Sequence, residues 1–199
     1  MEIGVFGGTF DPVHYGHIAL ARQALDECKL DKIIVIPANE QPFKLDRVLT
    51  PGEHRIKILE LAFAQYDDIL ISDVELAKGA VSYTIETLRE IKRRNKGAKI
   101  SFIVGIDSFL KVELWRDAEE LLKDYSFITG TRPGYKESEL DEMMLHLNKS
   151  YGTKIRKIRN EQIPISSTEI QEFFKSDEAF AKVFPQEVER YIFANGLYT

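Results

Sequence analysis

The chain has 199 residues, long enough to bury a substantial core, and 44% of them are hydrophobic while 30% are charged. This balance excludes intrinsically disordered and membrane-spanning classes, and the longest apolar runs are only as long as a strand. The formal net charge of −5 argues against general nucleic-acid binding. The single cysteine, Cys28, cannot form an internal disulfide, and no secretory signal pattern opens the sequence. We therefore expect a packed thiol in a cytoplasmic protein without membrane association.

Strand and helix patterns alternate along the whole chain. Strands are predicted at residues 2–7, 32–37, 69–73, 99–105, 125–130 and 153–159. Helices are predicted at residues 15–28, 52–65, 83–94, 116–123, 137–148, 167–175 and 185–195. This order favours an α/β fold, a doubly wound, mostly parallel sheet with helices on both faces. No repeat or linker marks a boundary, so we expect one domain over residues 1–199 with a C-terminal helical part over about 160–199.

The first predicted strand runs into two glycines and then two histidines. Gly7 and Gly8 let the backbone turn tightly and approach a phosphate without a Cβ in the way. His14 and His17, at the start of the first helix, are expected to project from one face and to donate hydrogen bonds to phosphate oxygens. Gly16 between them leaves room for a close neighbour. The combination predicts phosphoryl or nucleotidyl transfer, which needs positioning and charge stabilisation more than a protein nucleophile. Because zinc-binding histidine pairs on helices are more often four residues apart, we discount metal ligation by this pair.

Glycine-containing or polar segments follow three other predicted strands. The second strand ends in Pro37-Ala38-Asn39, the fourth in Gly105-Ile106-Asp107 and the fifth in Thr131-Arg132-Pro133-Gly134. In a doubly wound sheet, ligands bind beyond the carboxyl ends of the strands, where chain directions diverge. These segments are therefore expected to surround the same ligand as the glycines and histidines.

Two further histidines and an acidic run are assigned structural positions. His54, at the start of the second helix, is expected to make a structural contact, and His146 is expected to be solvated. The carboxylate-rich run Glu137–Glu142 is predicted to be an exposed helix face. The segment from Lys136 to Lys154 is a candidate insertion or contact between copies of the chain, so a homo-oligomer is possible.

The segment Ile165-Ser166-Ser167-Thr168-Glu169-Ile170 stands at the entrance to a helix. Ser166 and Glu169 have the spacing of a capping box, which satisfies free N–H groups at a helix start. The same N–H groups, with the hydroxyls of Ser167 and Thr168, can bind the distal phosphates of a nucleotide. The segment is expected to be both a cap and a phosphate site.

Together these motifs resemble a known family, the bacterial nicotinate-mononucleotide adenylyltransferases, within the nucleotidyltransferase superfamily that shares a His-x-Gly-His motif with class I aminoacyl-tRNA synthetases. The resemblance extends over nearly the whole chain, through the blocks GGTFDPVHYGH, Pro37 to Lys44, PGEHR, SDVEL, SYTIETL, Gly105 to Trp115, Arg132-Pro133-Gly134, ISSTEI and Tyr191 to Tyr198. It implies a Rossmann-like nucleotidyltransferase fold. It also implies that the phosphate of nicotinic acid mononucleotide attacks the α-phosphorus of ATP, giving deamido-NAD and pyrophosphate in NAD synthesis without a covalent enzyme intermediate.

The resemblance further implies which residues contact ATP. His14 and His17 would be catalytic, holding the α and β phosphates as pyrophosphate leaves. The other ATP or phosphate contacts would come from Gly7, Gly8, Thr9, Phe10, Lys44, Gly105, Asp107, Arg132, Ser166, Ser167 and Thr168. Mg²⁺ would travel with ATP, bound mainly through phosphates and water rather than by a protein metal site.

The acceptor mononucleotide would be bound by Asn39, Tyr83, Thr84, Trp115 and Arg116. Asn39 would donate to a phosphate, and Trp115 would stack on the pyridine ring. Backbone N–H groups around Thr84 and Arg116 would receive the nicotinate carboxylate. That arrangement favours the acid over the amide, because a carboxamide NH₂ would face donors with nothing to accept its hydrogens.

The sequence departs from the family pattern at two positions. The usual Pro-Pro-His-Lys loop reads Gln41-Pro42-Phe43-Lys44, so an apolar ring replaces one polar contact. The arginine that commonly stands three residues after Thr168 is Gln171 here. An amide lacks the guanidinium charge, so the affinity for ATP is expected to fall unless Lys175 or Arg132 compensates.

The sequence also leaves other functions open. A related enzyme that transfers AMP or CMP to nicotinamide mononucleotide, phosphopantetheine or a polyol phosphate would share the histidines and the fold. Trp115 and the block Ser82–Thr84 favour a nicotinate acceptor instead. A synthetase fragment is disfavoured because no lysine pair of the K-M-S-K-S type follows. A nucleotide-binding protein without turnover is opposed by the intact histidine pair and favoured by Gln171.

Overall fold

The computed structural model describes residues 1–40, 48–131, 134–159, 163, 165–176 and 183–198, apart from the side chains of Lys175 and Ser176. The strands within these ranges are β1 (Glu2–Gly8), β2 (Lys32–Pro37), β3 (Ile69–Ile71), β4 (Lys99–Ile103), β5 (Ser126–Thr129) and β6 (Ile155–Lys157). The α-helices are α1 (Tyr15–Glu27), α2 (Gly52–Phe63), α3 (Thr84–Arg94), α4 (Ile106–Phe109), α5 (Ala118–Asp124), α6 (Glu137–Tyr151), α7 (Ser167–Ser176) and α8 (Gln186–Ala194). Short 3₁₀ helices span Leu76–Lys78 and Val112–Leu114. Every predicted strand and helix is present, with ends shifted by a few residues, whereas α4 and the 3₁₀ helices were not predicted.

The strands form one sheet in the order β3-β2-β1-β4-β5-β6, and each neighbouring pair is parallel. The chain moves outward from β1 through β2 to β3 and then returns to place β4 on the other side of β1. This reversal of direction puts a crevice between the carboxyl ends of β1 and β4, which is where doubly wound sheets bind nucleotides. The expectation of a mostly parallel sheet is confirmed.

Two hydrophobic cores lie on opposite faces of the sheet. Successive residues of β2 alternate between them, with Ile33 and Val35 in one core and Ile34 and Ile36 in the other. Helices α1, α2, α7 and α8 cover the first face, and α3 to α6 cover the second. The runs of Ile and Val are buried on both faces, as a parallel sheet covered by two helical layers requires.

Cys28, His54 and His146 were expected to lie outside the functional site. Cys28 is a free, buried thiol, and its burial raises its pKa. His54 contacts the hydroxyl of Tyr191 through Nδ1 at 2.9 Å, which confirms the structural contact. The expectation of a solvated His146 is confirmed, because its side chain is 52% exposed, and its Nε2 lies 3.0 Å from Oε1 of Glu113 at the surface.

The surface of α6 agrees with its acidic sequence. The run Glu137–Glu142 is exposed apart from Leu140, which is buried. Among the helices that the structure describes, none combines the length and the apolar character needed to cross a membrane.

Candidate active site

A cavity of about 990 Å³ opens at the carboxyl ends of β1 and β4. This volume is at the upper end of the range for small-molecule and cofactor sites. The predicted site residues that line it are Gly7, Gly8, Thr9, Phe10, His14, His17, Tyr83, Thr84, Gly105, Asp107, Trp115, Arg116, Ser166, Ser167 and Thr168. Lys44 and Arg132, and with them Phe43, lie outside the described residues. The fold therefore brings most of the predicted residues to one cavity.

The two histidines stack against each other at the start of α1, with ring centroids 3.9 Å apart and planes tilted by 37°. His14 precedes the helix in an extended conformation and caps it, because its Nδ1 accepts from the N–H of Gly16 at 3.1 Å. The N–H of His14 in turn donates to Nδ1 of His17 at 3.3 Å. Since each Nδ1 accepts a backbone hydrogen, each ring hydrogen is assigned to Nε2. Both imidazoles are thus fixed as Nε2 donors, which is the form that a phosphate oxygen requires.

Gly16 is required by the close packing of this pair. A Cβ at this position would lie 2.9 Å from both Nδ1 and Cε1 of the His14 ring. Real Cβ contacts are not that short, so any side chain here must push His14 from its place on the cap. The expectation that this glycine leaves room for a neighbour is confirmed.

Phe10 lies in the loop between β1 and α1 and has a left-handed backbone, with φ of +48°. This conformation is rare for a bulky residue and persists where the surroundings enforce it. The ring is 1% exposed and makes edge-on contacts with Phe6 and His17, each at 5.1 Å between centroids. Phe10 therefore packs against the His17 ring and fixes its position.

A buried arginine, which the sequence reasoning missed, holds this loop. Arg55 is 2% exposed, and its guanidinium donates to the carbonyl oxygens of Thr50 at 2.9 Å, Thr9 at 3.0 Å and Ala38 at 2.6 Å. Burial lowers the pKa of Arg55, and the nearby charge of Asp11 opposes that shift. The available signal was its helical spacing, because Arg55 shares a face of α2 with the buried apolar residues of that helix.

Side chains from the C-terminal part of the chain hydrogen-bond to the same loop between β1 and α1. Nε2 of Gln171 donates to the carbonyl of Asp11 at 2.7 Å, and Oγ of Ser167 donates to the carbonyl of Pro12 at 2.9 Å. The hydroxyl of Tyr198 donates to Oδ1 of Asp11 at 2.8 Å. Burial, followed by the charge of Asp11, raises the pKa of Tyr198, so this hydroxyl keeps its hydrogen. Gln171, at the position where the family pattern has arginine, thus contacts the loop backbone.

The start of α7 reaches the cavity through Ser166, Ser167 and Thr168. The N–H of Glu169 donates to Oγ of Ser166 at 3.2 Å, which confirms the predicted cap. The hydroxyl of Ser166 donates in turn to Oε2 of Glu169 at 2.6 Å, so this carboxylate bonds to the capping side chain rather than to the backbone. The helix start is therefore both capped and placed on the cavity wall.

Trp115 and Tyr83 contribute aromatic side chains to the cavity wall. The Trp115 ring meets Phe102 edge-on, with centroids 5.9 Å apart and an angle of 80° between the planes. The guanidinium carbon of Arg116 lies 4.4 Å from the centroid of Tyr83, and Nη1 lies 3.1 Å from Oε1 of Glu86. Arg116 is thereby held beside the aromatic walls by stacking and by an ion pair.

The first turn of α3 begins at Thr84, and its N-cap residue Tyr83 makes no side-chain capping bond. The first N–H groups of a helix have no intrahelical acceptor, and the helix dipole adds partial positive charge to them. Because Tyr83 and Thr84 line the cavity, this helix start can receive an anionic group of a ligand.

Asn39 is the described site residue that does not line the cavity, although its neighbour Ala38 does. Its Nδ2 donates to the carbonyl of Ala80 at 3.2 Å, and its backbone N–H donates to Oγ of Ser82 at 3.0 Å. A contact between this amide and a phosphate would have to compete with the bond to Ala80.

A buried carboxylate on the cavity wall was also missed. Glu75 is 7% exposed, and its Oε1 accepts from Oγ1 of Thr87 at 2.5 Å. Burial raises the pKa of Glu75, while hydrogen bonds from Ser82 and Thr87 and the charge of Lys78 oppose that shift. The signal in the sequence was a glutamate directly after the apolar Val74, within the block SDVEL.

A family model described as cytidylyltransferase-like matches residues 5–173, which defines the class of protein to which this fold and cavity belong. Relatives that match this chain over nearly their full length identify the family within that class. The probable nicotinate-nucleotide adenylyltransferase of Thermoanaerobacter sp. (strain X514) is 37% identical over 100% of this chain and 94% of its own. The relative of the same name from Carboxydothermus hydrogenoformans is 35% identical, over 99% of this chain and 98% of its own. The chain belongs to the nicotinate-nucleotide adenylyltransferase family, as the motifs indicated.

Two solved structures share this architecture. The Plasmodium falciparum nicotinic acid mononucleotide adenylyltransferase complexed with NaAD gives a TM-score of 0.80 at 22% identity and covers 99% of this chain and 97% of that chain. The same protein complexed with APC gives a TM-score of 0.78 at 21% identity, over 99% and 96% of the two chains. These similarities confirm the nucleotidyltransferase fold.

Proposed function

We propose that this protein transfers the adenylyl group of ATP to nicotinic acid mononucleotide, giving deamido-NAD and pyrophosphate in NAD synthesis. The observation that carries the proposal is the pair of stacked histidines on the cavity wall, each held as an Nε2 donor. Relatives that match this chain over nearly their whole length and are named for this activity support the same acceptor.

In this reaction the acceptor phosphate displaces pyrophosphate from the α-phosphorus of ATP in line. Nε2–H groups of His14 and His17 would stabilise the negative charge that develops on the α and β phosphates. The backbone N–H groups of Gly8 and Thr9 would hold the reacting phosphates. Because the acceptor supplies its own nucleophile, neither a protein base nor a covalent intermediate is required.

ATP would extend from the histidines to the start of α7. Ser166, Ser167 and Thr168 would bind the distal phosphates, and Gly105 and Asp107 would lie around the adenosine. Lys44 and Arg132 are proposed as further phosphate contacts. Phe10 would contribute through its backbone, along with Gly7.

The acceptor would lie at the aromatic end of the cavity, with its pyridine ring on Trp115 and beside Tyr83. The uncapped start of α3 at Thr84, with the backbone around Arg116, would receive the nicotinate carboxylate. Asn39 would bind the mononucleotide phosphate once its amide leaves Ala80. These donors would favour the acid over the amide, for which they offer no acceptor.

A divalent cation, for which we propose Mg²⁺, would neutralise charge on the ATP phosphates. In the part of the chain that the structure describes, no three His, Cys, Asp or Glu side chains lie together as a metal site. The loop carboxylate of Asp11 already accepts from Thr50 and Tyr198. Phosphate and water oxygens would therefore be the main ligands, as this hard ion prefers. A single domain over residues 1–199, a cytoplasmic location and contacts between copies of the chain stay predictions.

The proposal is tested by pyrophosphate release from ATP and Mg²⁺ with nicotinic acid mononucleotide, nicotinamide mononucleotide or phosphopantetheine. We expect turnover that strongly favours the first acceptor. His17→Ala should lower kcat by about 10²–10³-fold, the cost of losing one charge-stabilising donor, with little change in ATP binding. His146→Gln, on the outer helix α6, is the matched control and should retain activity.

Two outcomes would contradict the proposal. Faster turnover with another acceptor would reassign the substrate. A folded protein that binds ATP but releases no pyrophosphate with any acceptor would be a nucleotide-binding protein without turnover.

A further inference from the structure

Glu75 is a charged side chain on the cavity wall that the proposed mechanism does not use. It is nearly buried, and its Oε1 accepts from the hydroxyl of Thr87 at 2.5 Å. Ser82, whose Oγ accepts from the N–H of Asn39 at 3.0 Å, belongs to the same polar network and opposes the rise in the pKa of Glu75 that burial causes. The Thr87 hydroxyl therefore directs its hydrogen at the carboxylate.

This network lies next to residues that are proposed to bind the acceptor. The N–H of Ser82 donates to the carbonyl of Glu40 at 2.8 Å, which joins the network to the segment after β2. The N–H of Thr87 donates to the carbonyl of Tyr83 at 3.2 Å, one turn into α3. Glu75 is therefore bonded to a residue that lies one helical turn from Tyr83, which is proposed to lie beside the pyridine ring.

The carboxylate has acceptor capacity that the protein does not use. An ionised carboxylate offers about four lone-pair sites, and the hydroxyl of Thr87 occupies only one of them. No lysine or arginine among the described residues lies within ion-pair distance of Glu75; its charge partner Lys78 acts only from farther away. Because apolar residues are often better tolerated than a buried, unpaired charge, a hydrogen-bond donor from the ligand would account for this carboxylate.

The chemistry of the acceptor identifies that donor. The carboxylate and the phosphate of nicotinic acid mononucleotide are anionic and would be repelled by Glu75. The pyridine ring of the mononucleotide is N-glycosylated and cationic, so charge can draw it towards Glu75, but it carries no N–H or O–H. The hydroxyls of the ribose are therefore the hydrogen-bond donors of the mononucleotide. A neutral hydroxyl bonded to a buried carboxylate is a charge-assisted hydrogen bond, which is stronger than a neutral one.

We propose that Glu75 is a binding residue that accepts a hydrogen bond from a ribose hydroxyl of the acceptor mononucleotide, and that it selects a ribonucleotide over a deoxyribonucleotide. The inference rests on the proposed function. It adds a specificity determinant, for the sugar, to the contacts proposed for the pyridine ring and the phosphates.

The test combines a change in the protein with a change in the ligand. Wild type and Glu75→Gln are compared with nicotinic acid mononucleotide and with its 2′-deoxy and 3′-deoxy analogues. In the wild type, removal of one of the two hydroxyls should raise KM about tenfold, the cost of a hydrogen bond to a charged group. In Glu75→Gln, KM for the ribonucleotide should rise about tenfold. The deoxy analogue that lacks the bonded hydroxyl should then have the same KM as the ribonucleotide. The KM for ATP should stay the same.

Thr87→Val is the matched control, since it removes a donor to Glu75 but no contact with the sugar. It should raise KM for all three acceptors by one common factor. A common factor for Glu75→Gln as well, or equal KM values for all three acceptors in the wild type, would overturn the inference. Equal KM values for the three acceptors in the wild type would overturn the inference even if Glu75→Gln does not fold. Absence of wild-type turnover with nicotinic acid mononucleotide would instead overturn the proposed function, and the inference with it.

Discussion

At the scale of single residues, His14 combines a structural task with a chemical one. Helix caps are usually Ser, Thr, Asp or Asn, whereas here Nδ1 of an imidazole accepts the N–H of Gly16. One ring nitrogen is used to start α1, and the ring hydrogen is assigned to the other. The orientation and the tautomer of the ring are therefore set by the backbone before a nucleotide binds, which is the kind of preorganisation that charge stabilisation requires.

Gly16→Ala should displace the His14 ring with little effect on the stability of the fold. The added Cβ would lie 2.9 Å from the His14 ring and displace it, so kcat should fall at least about tenfold. Alanine is better in a helix than glycine by about 1 kcal/mol, which offsets the strain, so the melting temperature should change little. Steady-state kinetics and thermal unfolding check both parts.

Gly52→Ala is the control for that substitution. This glycine also begins a helix, but its added Cβ would meet the flexible end of the Leu76 side chain. The kcat of Gly52→Ala should stay at the wild-type value. A wild-type kcat in Gly16→Ala would contradict the prediction, because it would show that the position of the His14 ring does not depend on the absence of a Cβ at residue 16.

At the scale of elements, Arg55 joins three chain segments that meet at the site. Its guanidinium contacts carbonyls of the loop after β1, of the end of β2 and of the approach to α2. Backbone carbonyls at the edge of a parallel sheet need donors, and a planar guanidinium with five N–H groups can serve several of them at once. The walls of the cavity are thus fixed to one another by a single side chain.

Arg55→Met should lower the free energy of unfolding by about 3 kcal/mol, because it leaves buried carbonyls without a donor and Asp11 without its cation. Arg55→Lys should recover only part of the loss, since an ammonium cannot match the planar fork. Urea unfolding measures both variants. Lys57→Met, on the exposed side of α2, should change stability by at most about 0.5 kcal/mol. A loss in Arg55→Met no larger than that of Lys57→Met would contradict the assignment.

Apolar periodicity accounts for what could be predicted of the elements. The buried runs of β1, β2 and β4 and the amphipathic helices between them carry that period over enough residues to be recognised. The helix α4 and the 3₁₀ helices span only three or four residues, too few for a period to appear. Their positions depend on tertiary packing, as the buried Ile106 and Phe109 of α4 illustrate.

The site was predictable where a motif alone specifies the chemistry. The glycines, the histidines and the ISSTEI segment were placed on one cavity because each follows a strand or begins a helix. Arg55 and Glu75 were missed because a charged residue in a sequence is expected at the surface, and only the folded structure gives each its buried partners. The amide of Asn39 was expected on a phosphate, but a neighbouring carbonyl, which the sequence does not reveal, accepts its hydrogen.

At the scale of the whole molecule, the C-terminal helices complete a site that begins at the first strand. Tyr198, Gln171 and Ser167 all bond to the loop at Asp11 and Pro12, and the N–H of Tyr15 donates to the carbonyl of Val183 at 2.8 Å. This face of the sheet therefore couples the packing of α7 and α8 to the backbone that would hold the phosphates.

Tyr198→Phe should loosen that loop. Removal of the hydroxyl leaves the buried Asp11 with one donor fewer, which should cost about 1–2 kcal/mol of unfolding free energy. Because the loop carries the proposed phosphate contacts, KM for ATP should also rise several-fold. Kinetics and urea unfolding measure the two effects.

Tyr191→Phe is the matched control, because its hydroxyl contacts His54 and neither residue lines the cavity. It should lose a similar amount of stability with an unchanged KM for ATP. An equal rise in KM in both variants would mean that general loosening, rather than the bond to Asp11, sets the affinity for ATP.

The bond between Asp11 and Tyr198 joins residues 187 positions apart, and that between Pro12 and Ser167 joins residues 155 apart. During synthesis on the ribosome, β1 and α1 emerge early, yet the loop between them cannot take its final shape until the last helices have followed. Closure of such distant contacts is slow compared with local structure formation. A nascent chain would therefore hold the histidine motif without a working nucleotide pocket until Ser167 and Tyr198 have been made and packed, so competence for ATP would arrive long after the motif itself.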